Sequence, residues 1–176
     1  AAGLFACETV PNLVLGVEIC EDLWATEPPS ARLARGGATV ILNLSASNEL
    51  AGKAAYRRAL VTGQSARLVC GYVYADAGEG ESTTDLVFTG HNLIAENGAL
   101  LTERRFSTGL TISEIDVDKL VYERRRISTY TPPTVEVWRS YFDLTPSTTT
   151  LTRYVSPTPF VPEDAACRAE RCDELL

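Results

Sequence analysis

The first half of the chain alternates short apolar runs with stretches that have helical spacing. The apolar runs are rich in Val, Ile and Leu and too short for buried helices, so they predict buried strands at 13–19, 38–44 and 70–75. Ser30 is expected to begin a short helix that ends before Gly36, and residues 53–69 alternate apolar and basic side chains with the spacing of a longer helix. Two successive strand–helix–strand units predict an α/β fold with a parallel sheet.

The second half of the chain predicts shorter elements that are joined by turns. A loop rich in Gly and hydroxyl side chains covers 76–85; it could be a structural turn or bind an anion, although its glutamates argue against phosphate. Strands are expected next at 86–88, 92–96, 100–105 and 109–117. Asn97-Gly98 is a strong hairpin signal. A helix is expected to start at Asp118, with its basic run Arg124–Arg126 facing solvent.

The chain changes character after Tyr130. Prolines recur with Ser and Thr between them, which predicts an extended arm or linker, and residues 163–176 are expected to form a charged amphipathic helix. Cys167 and Cys172 lie in that helix without a second pair of ligands nearby, which argues against a zinc site.

Composition and charge narrow the functional classes. The 176 residues are 45% hydrophobic and 22% charged, which is ordinary for a globular domain. A net charge of −7 argues against a nucleic-acid or anionic-membrane partner, and no apolar run is long enough for a membrane helix. The odd number of scattered cysteines, five, predicts a reducing, cytoplasmic setting. Because the sequence starts with Ala and contains no Met, we expect it to be a piece of a longer protein.

The strongest candidate for chemistry is Cys20, which follows the first predicted buried strand directly. The carboxyl end of a strand is where an α/β sheet usually presents its reactive groups, and a thiol there is a potential nucleophile. The alternative is a buried core thiol without chemistry, since cysteine is among the most buried residue types. Glu21 and Asp22 favour the first interpretation, because two acids beside a core thiol are costly unless the position opens onto a polar pocket.

The segment Gly16–Trp24, with the sequence Gly-Val-Glu-Ile-Cys-Glu-Asp-Leu-Trp, resembles the nucleophile segment of the nitrilase (carbon-nitrogen hydrolase) superfamily. Within it, the segment is most similar to the glutaminase domains of glutamine-dependent NAD synthetases, and the 76–85 loop shares that resemblance. The resemblance implies an α-β-β-α sandwich, of which residues 1–130 would be the carboxyl-terminal half. Residues 131–176 would be the extended arm and the start of a linker towards a synthetase domain.

The resemblance also implies roles for particular residues. Cys20 would attack the side-chain amide of glutamine, with the backbone amide of Glu21 as an oxyanion donor. Ser47 and Lys53 would hold the polar ends of the glutamine; the family often has Arg where this chain has Lys53, and a lysine cannot grip a carboxylate with two parallel hydrogen bonds.

A glutamate base and an oxyanion lysine complete the site in this superfamily. Glu8 and Glu18 do not lie in the base motif, and no lysine precedes Cys20, so we expect both groups to lie outside this chain. A dyad of Cys20 with His91 is the local alternative. We expect His91 to face solvent on a hairpin turn instead.

The implied partners are L-glutamine, the amino-terminal half of the glutaminase domain and a synthetase domain that uses ATP and deamido-NAD. No Ser-Gly-Gly pyrophosphate loop occurs here, so no cofactor or metal is expected in this chain, and the isolated chain is expected to be inactive. A partial domain would expose apolar surface and form homo-oligomers. The alternatives are another amidase of the nitrilase superfamily, or a non-catalytic assembly module in which Cys20 is inert.

Overall fold

A computed structural model of the protein describes residues 3–130, 137–148 and 150–175. In these ranges the strands form one mixed sheet in the order β6-β5-β4-β3-β2-β1-β7. The strands are β1 Gly3–Cys7, β2 Val14–Ile19, β3 Val40–Ser45, β4 Gly71–Asp76, β5 Asn92–Glu96, β6 Ala99–Arg104 and β7 Trp138–Phe142. The helices are α1 Pro29–Arg35, α2 Lys53–Leu68, α3 Val117–Arg126 and α4 Ala165–Leu175, and short 3-10 turns span Cys20–Trp24 and Glu79–Glu81.

The centre of the sheet confirms the predicted α/β units. Strands β2, β3 and β4 are parallel, with Val17 opposite Leu42 and Leu42 opposite Val73, and α1 and α2 make the two crossovers. Strands β5 and β6 form the expected antiparallel hairpin. Its turn residues Asn97 and Gly98 both have left-handed φ angles, of 45° and 86°, as a tight two-residue hairpin turn requires.

The hydrophobic core lies between the sheet and the helices α1 and α2. Its fully buried strand residues include Leu4, Ile41, Tyr72 and Leu93. Gly16 allows α1 to approach β2 closely, because a Cβ there would lie only 3.0 Å from Cβ of Leu33. Burying this one face of the sheet is the main source of apolar stabilisation in the described residues.

The opposite face of the same strands is partly uncovered. Ile19 is 62% exposed, Leu44 55% and Phe5 39%, and all three alternate along their strands with buried residues. Near the other end of the strands, Ile115 contacts this face beside Gly71. The strands are therefore apolar on both faces, although helices cover only one.

Two strand predictions were wrong. Residues 86–88 and 109–116 carry no strand, because loop and side-chain groups take their backbone bonds: the carbonyl of Val87 accepts from the Glu49 amide, and Ser82 Oγ accepts from the Phe88 amide. Strand β1 was not predicted, and it pairs antiparallel with β2.

The expected arm also contains a strand. Strand β7 pairs parallel with β1 at the sheet edge, and Arg153 forms two hydrogen bonds with Glu96, at 2.7 and 2.8 Å. The helix predicted at the carboxyl end is confirmed as α4. Pro132 and Pro133, the first of the recurring prolines after Tyr130, lie outside the described residues. The division of the chain at residue 130 stays a prediction.

The basic run of α3 faces solvent only in part. Arg125 and Arg126 are exposed as expected, but Arg124 is buried. Its guanidinium donates to the carbonyl oxygens of Leu68 and Val69, at 3.1 and 2.9 Å. The last carbonyls of a helix have no partner within it, and Arg124 satisfies two of them at the end of α2. No helix in the described ranges is both long and apolar enough to cross a membrane.

Candidate active site

Cys20 lies where the sequence predicts it, at the carboxyl end of β2. The chain turns sharply there, and Cys20 has a left-handed φ of 50°, a conformation that costs a non-glycine residue about 1–2 kcal/mol. Its side chain is half-buried, unlike that of Cys70, where burial raises the thiol pKa to about 12. A strained cysteine at a strand end, open in part to solvent, differs from the inert core thiol of the alternative interpretation.

Side chains from neighbouring segments hold the backbone on both sides of this turn. The Ile19 amide donates to Oδ2 of Asp22 at 2.8 Å. The Cys20 amide donates to Oδ1 of Asn43 at 3.1 Å, and Nδ2 of Asn43 donates back to the Cys20 carbonyl at 3.4 Å. Because the amide of Cys20 is already bonded, the next amide, that of Glu21, is the better candidate for an oxyanion donor.

One hydroxyl group contacts the sulfur, and a second hydroxyl contacts the first. Ser45, the last residue of β3, donates from Oγ to the Cys20 Sγ at 3.4 Å, and the same Oγ lies 2.6 Å from the hydroxyl of Tyr74. Burial raises the pKa of Tyr74, so this phenol stays protonated near neutral pH. A hydroxyl beside the sulfur suits a thiolate, which needs hydrogen-bond donors.

Ser47 lies two residues further along, and the fold holds it tightly. Its amide donates to Oδ1 of Asp76 at 2.8 Å, while Nη2 of Arg57 donates to its carbonyl at 3.3 Å and to its Oγ at 3.2 Å. Lys53, the other predicted glutamine contact, is the first residue of α2 and donates from Nζ to Oδ1 of Asn48 at 3.0 Å. Both predicted residues therefore lie on the segment that follows Ser45, without direct contact to Cys20.

Arg57 is the centre of a buried charged cluster behind this segment. Its side chain is fully buried, and Nη1 lies 3.2 Å from Oε2 of Glu49 while Nη2 lies 3.7 Å from Oδ2 of Asp76. Burial raises the pKa of Asp76, although the guanidinium and the Ser47 amide act in the opposite direction. The cluster ties the segments after β3 and β4 together.

The expectation that His91 faces solvent was wrong. Its side chain is fully buried, with Nδ1 2.8 Å from Nη1 of Arg57 and Nε2 2.7 Å from Oε1 of Glu103. A guanidinium only donates, so Nδ1 accepts and the ring proton on Nε2 points to Glu103. Burial lowers the pKa of His91. With both nitrogens engaged away from the sulfur, the geometry gives no dyad with Cys20.

Glu18 and the two lysines contact groups other than the Cys20 sulfur. Glu18 is buried and accepts hydrogen bonds from Tyr72 Oη and from the Ser30 amide, the latter at 2.8 Å. That contact also corrects the expectation that Ser30 caps α1: the helix starts at Pro29, and the Glu18 carboxylate takes the amide instead. Of the two lysines in the sequence, Lys53 contacts Asn48 and Lys119 lies 3.9 Å from Glu96.

Several site residues were not anticipated from the sequence. They are Asn43, Ser45, Arg57, Tyr74 and Asp76. A polar residue inside a buried apolar strand, such as Asn43, is a signal that could have been used, because an amide buried there needs partners. Nothing in the local pattern distinguishes Arg57 from the other arginines of α2.

Comparison with known proteins gives relatives along nearly the whole chain. It is 44% identical over 183 aligned positions to a glutamine-dependent NAD(+) synthetase of Mycobacterium tuberculosis H37Rv, and 43% identical to one of Mycobacterium leprae. Each alignment covers 97% of this chain and 27% of the relative. The chain thus spans about a quarter of the length of these curated relatives. No family model matches the sequence.

Solved structures give the same fold. A glutamine-dependent NAD+ synthetase of Acinetobacter baumannii superimposes with a TM-score of 0.60 and 24% identity, over 68% of this chain and 22% of that chain. Saccharomyces cerevisiae Nit3, of the nitrilase superfamily, superimposes with a TM-score of 0.57 and 18% identity, over 67% and 43% of the two chains. Over the length that it spans, the chain is therefore a homologue of the glutamine-dependent NAD synthetases and has the fold of the nitrilase superfamily.

Proposed function

We propose that this chain is the nucleophile-bearing part of a glutaminase, in which Cys20 attacks the side-chain amide of glutamine. The supporting observation is the position of Cys20: a strained residue at a strand end, half-buried, with a serine hydroxyl 3.4 Å from its sulfur. Similarity to glutamine-dependent NAD synthetases over 97% of the chain supports glutamine as the substrate of this site.

The chemistry proceeds through an acyl-enzyme. The Cys20 sulfur bonds to the amide carbon, the carbon–nitrogen bond breaks, and a proton delivered to the nitrogen releases ammonia. Water then cleaves the thioester to glutamate and restores the thiol. The Glu21 amide donates to the carbonyl oxygen while it carries negative charge.

Ser47 and Lys53 hold the glutamine in this proposal. Arg57 donates to Ser47 Oγ, so the hydroxyl proton of Ser47 is available for an acceptor such as the glutamine carboxylate. Lys53 supplies a positive charge on the same segment, and its ammonium would leave Asn48 to bind the same carboxylate.

The rest of the reaction requires residues outside this chain. The general base and the oxyanion lysine come from the amino-terminal half of the glutaminase domain, so the isolated chain is inactive. The ammonia is used at a synthetase domain that binds ATP and deamido-NAD. The uncovered face of the sheet, with Ile19 and Leu44 exposed, packs against that missing half, and without it the face drives self-association.

The test uses the complete protein with either glutamine or ammonium as the nitrogen source. Cys20→Ala is expected to abolish NAD synthesis from glutamine and to leave synthesis from ammonium unchanged, with Cys70→Ala as a matched control that retains both. Glutamine-driven synthesis that survives in Cys20→Ala would refute the proposal.

A second candidate function is a non-catalytic assembly module of the same fold. It predicts that Cys20 reacts with iodoacetamide no faster than the exposed Cys167, whereas a nucleophile should react much faster. An amidase without a synthetase partner would instead release ammonia from glutamine and fail to make NAD.

A further inference from the structure

We propose that Asn43, Tyr72 and Glu18 form a positioning relay that holds the backbone of Cys20 in its strained conformation and thereby aims the sulfur. This inference rests on the proposed role of Cys20 as a nucleophile and extends it to three residues that do not touch the substrate. All three side chains are almost fully buried on the helix-covered side of the sheet.

The first link is the side chain of Asn43, which binds both polar groups of the Cys20 backbone. Its Oδ1 accepts from the Cys20 amide at 3.1 Å and its Nδ2 donates to the Cys20 carbonyl at 3.4 Å. Cys20 has a left-handed φ of 50°, and these two bonds constrain the turn at that position.

The second link fixes which way the Asn43 amide points. Nδ2 of Asn43 also donates to the hydroxyl oxygen of Tyr72 at 3.2 Å. The Tyr72 hydroxyl donates its own proton to Glu18. Because that proton is already used, the Tyr72 oxygen can only accept, and Asn43 must present its amino group to Tyr72 and its oxygen to Cys20.

The third link anchors the relay in the fold. Oε2 of Glu18 accepts from the Ser30 amide at 2.8 Å, in the first turn of α1, and Oε1 accepts from Tyr72. Burial and the neighbouring Glu18 charge raise the pKa of Tyr72, so the phenol keeps its proton. One line of donors therefore runs from the Cys20 amide through Asn43 and Tyr72 to the Glu18 carboxylate, and a second bond returns from Nδ2 of Asn43 to the Cys20 carbonyl.

The relay has a consequence for catalysis. A rotation of the Cys20 backbone would move Sγ away from the hydroxyl of Ser45 and turn the adjacent Glu21 amide, so a loose turn would weaken attack and oxyanion stabilisation together. Binding of glutamine, which depends on Ser47 and Lys53, would be affected much less.

The test compares two substitutions on the same sheet in the complete protein. Asn43→Leu removes the brace at the end of β2. Thr39→Val removes an equally buried brace at the start of β2, where Thr39 Oγ1 donates to the Asn12 carbonyl at 2.7 Å. Asn43→Leu is expected to lower kcat for glutamine hydrolysis about tenfold to a hundredfold, with KM and ammonium-driven synthesis unchanged. Thr39→Val is expected to retain kcat within about twofold.

A second variant keeps the test decisive if Asn43→Leu does not fold. Tyr72→Phe retains the buried ring and removes only the hydroxyl, and it is expected to lower kcat in the same sense but less. A wild-type kcat in Asn43→Leu would overturn the relay. If that variant does not fold, a wild-type kcat in Tyr72→Phe would do so. An equal loss of kcat in Thr39→Val would also overturn the relay. If these variants are normal while Cys20→Ala has no glutaminase, only the relay fails.

If Cys20→Ala keeps its glutaminase, the proposed function fails and the relay is tested without turnover. The readout is then the rate at which iodoacetamide modifies Cys20, followed by peptide mass. A rate changed in Asn43→Leu and unchanged in Thr39→Val supports the relay, and equal rates in both variants contradict it.

Discussion

The two faces of the sheet carry similar side chains in very different surroundings. On the face that α1 and α2 cover, Leu93 is fully buried, and the buried polar groups Glu18 and Asn43 have hydrogen-bond partners. On the other face, Ile19 and Leu44 belong to the same strands as these polar groups and are 62% and 55% exposed.

This difference shows what a continuous apolar strand means. A strand with one solvated face alternates apolar and polar residues, whereas a strand buried on both faces is apolar throughout. The pattern of β2 and β3 is of the second kind, so their uncovered face is built for contact with another layer. Cys20 lies at the edge between the two faces, where a layer on the uncovered side could complete a site around it.

The largest effect should come from matched leucines on the two faces. Leu93→Ala is expected to destabilise the isolated chain by about 2–5 kcal/mol, because it leaves a cavity in the core. Leu44→Ala is expected to cost less than about 1 kcal/mol, because the side chain is already in water. Urea unfolding of both variants, at a concentration low enough to keep the chain monomeric, measures the difference, and equal costs would show that the Leu44 face is covered within the monomer.

Two glycines give a smaller contrast of opposite sign. Gly16→Ala should destabilise by about 1–3 kcal/mol, because a new Cβ would lie 3.0 Å from both Leu33 and Ile41. Gly63 lies in the middle of α2, and a methyl group added there would meet no neighbouring side chain within 4 Å, so Gly63→Ala should stabilise by about 0.5–1 kcal/mol. Unfolding midpoints test both, and a destabilised Gly63→Ala would contradict the packing described.

The smallest effect concerns the charged cluster on the covered side. The pKa of His91 is lowered by burial, with Arg57, Glu103 and Arg105 as its charged neighbours, so the unfolded chain binds this proton more readily. The contribution of neutral His91 to the free energy of unfolding is complete above the pKa of about 6.5 that histidine has in the unfolded chain. This contribution is lost as the pH falls towards the pKa of His91 in the folded chain.

The measurement for this contribution is the change in unfolding free energy between about pH 7.5 and pH 5.5. Wild type should lose more stability over this interval than His91→Asn, whose side chain does not titrate. Parallel pH profiles for the two proteins would show that His91 is not held neutral by the fold.

The sequence predicted the parts of the fold that depend on local pattern. The parallel strands, α2, the Asn97-Gly98 hairpin and the position of Cys20 all follow from periodicity and turn chemistry. Strand β7 was missed because its partner, β1, is distant in the sequence, and β1 was missed although it also pairs with the nearby β2. His91 and Arg124 were misjudged for a related reason, since their burial is decided by residues far away in the sequence.

The sequence named only part of the candidate site. Cys20, Ser47 and Lys53 could be named from motif resemblance, but the residues that hold them could not. Asn43 and Arg57 act across the fold, on partners 23 and 10 positions away. Such contacts depend on which strand neighbours which, and local spacing does not contain that information.

The most direct test of the central claim is to look for the covalent intermediate on Cys20. The complete protein is mixed with glutamine, quenched with acid and digested, and the peptide that contains Cys20 is weighed by mass spectrometry. We expect a peptide heavier by one glutamyl group, carried as a thioester on Cys20 and much less abundant in the Asn43→Leu variant at the same early time. A glutamyl group on another residue, with Cys20 unmodified throughout turnover, would contradict it.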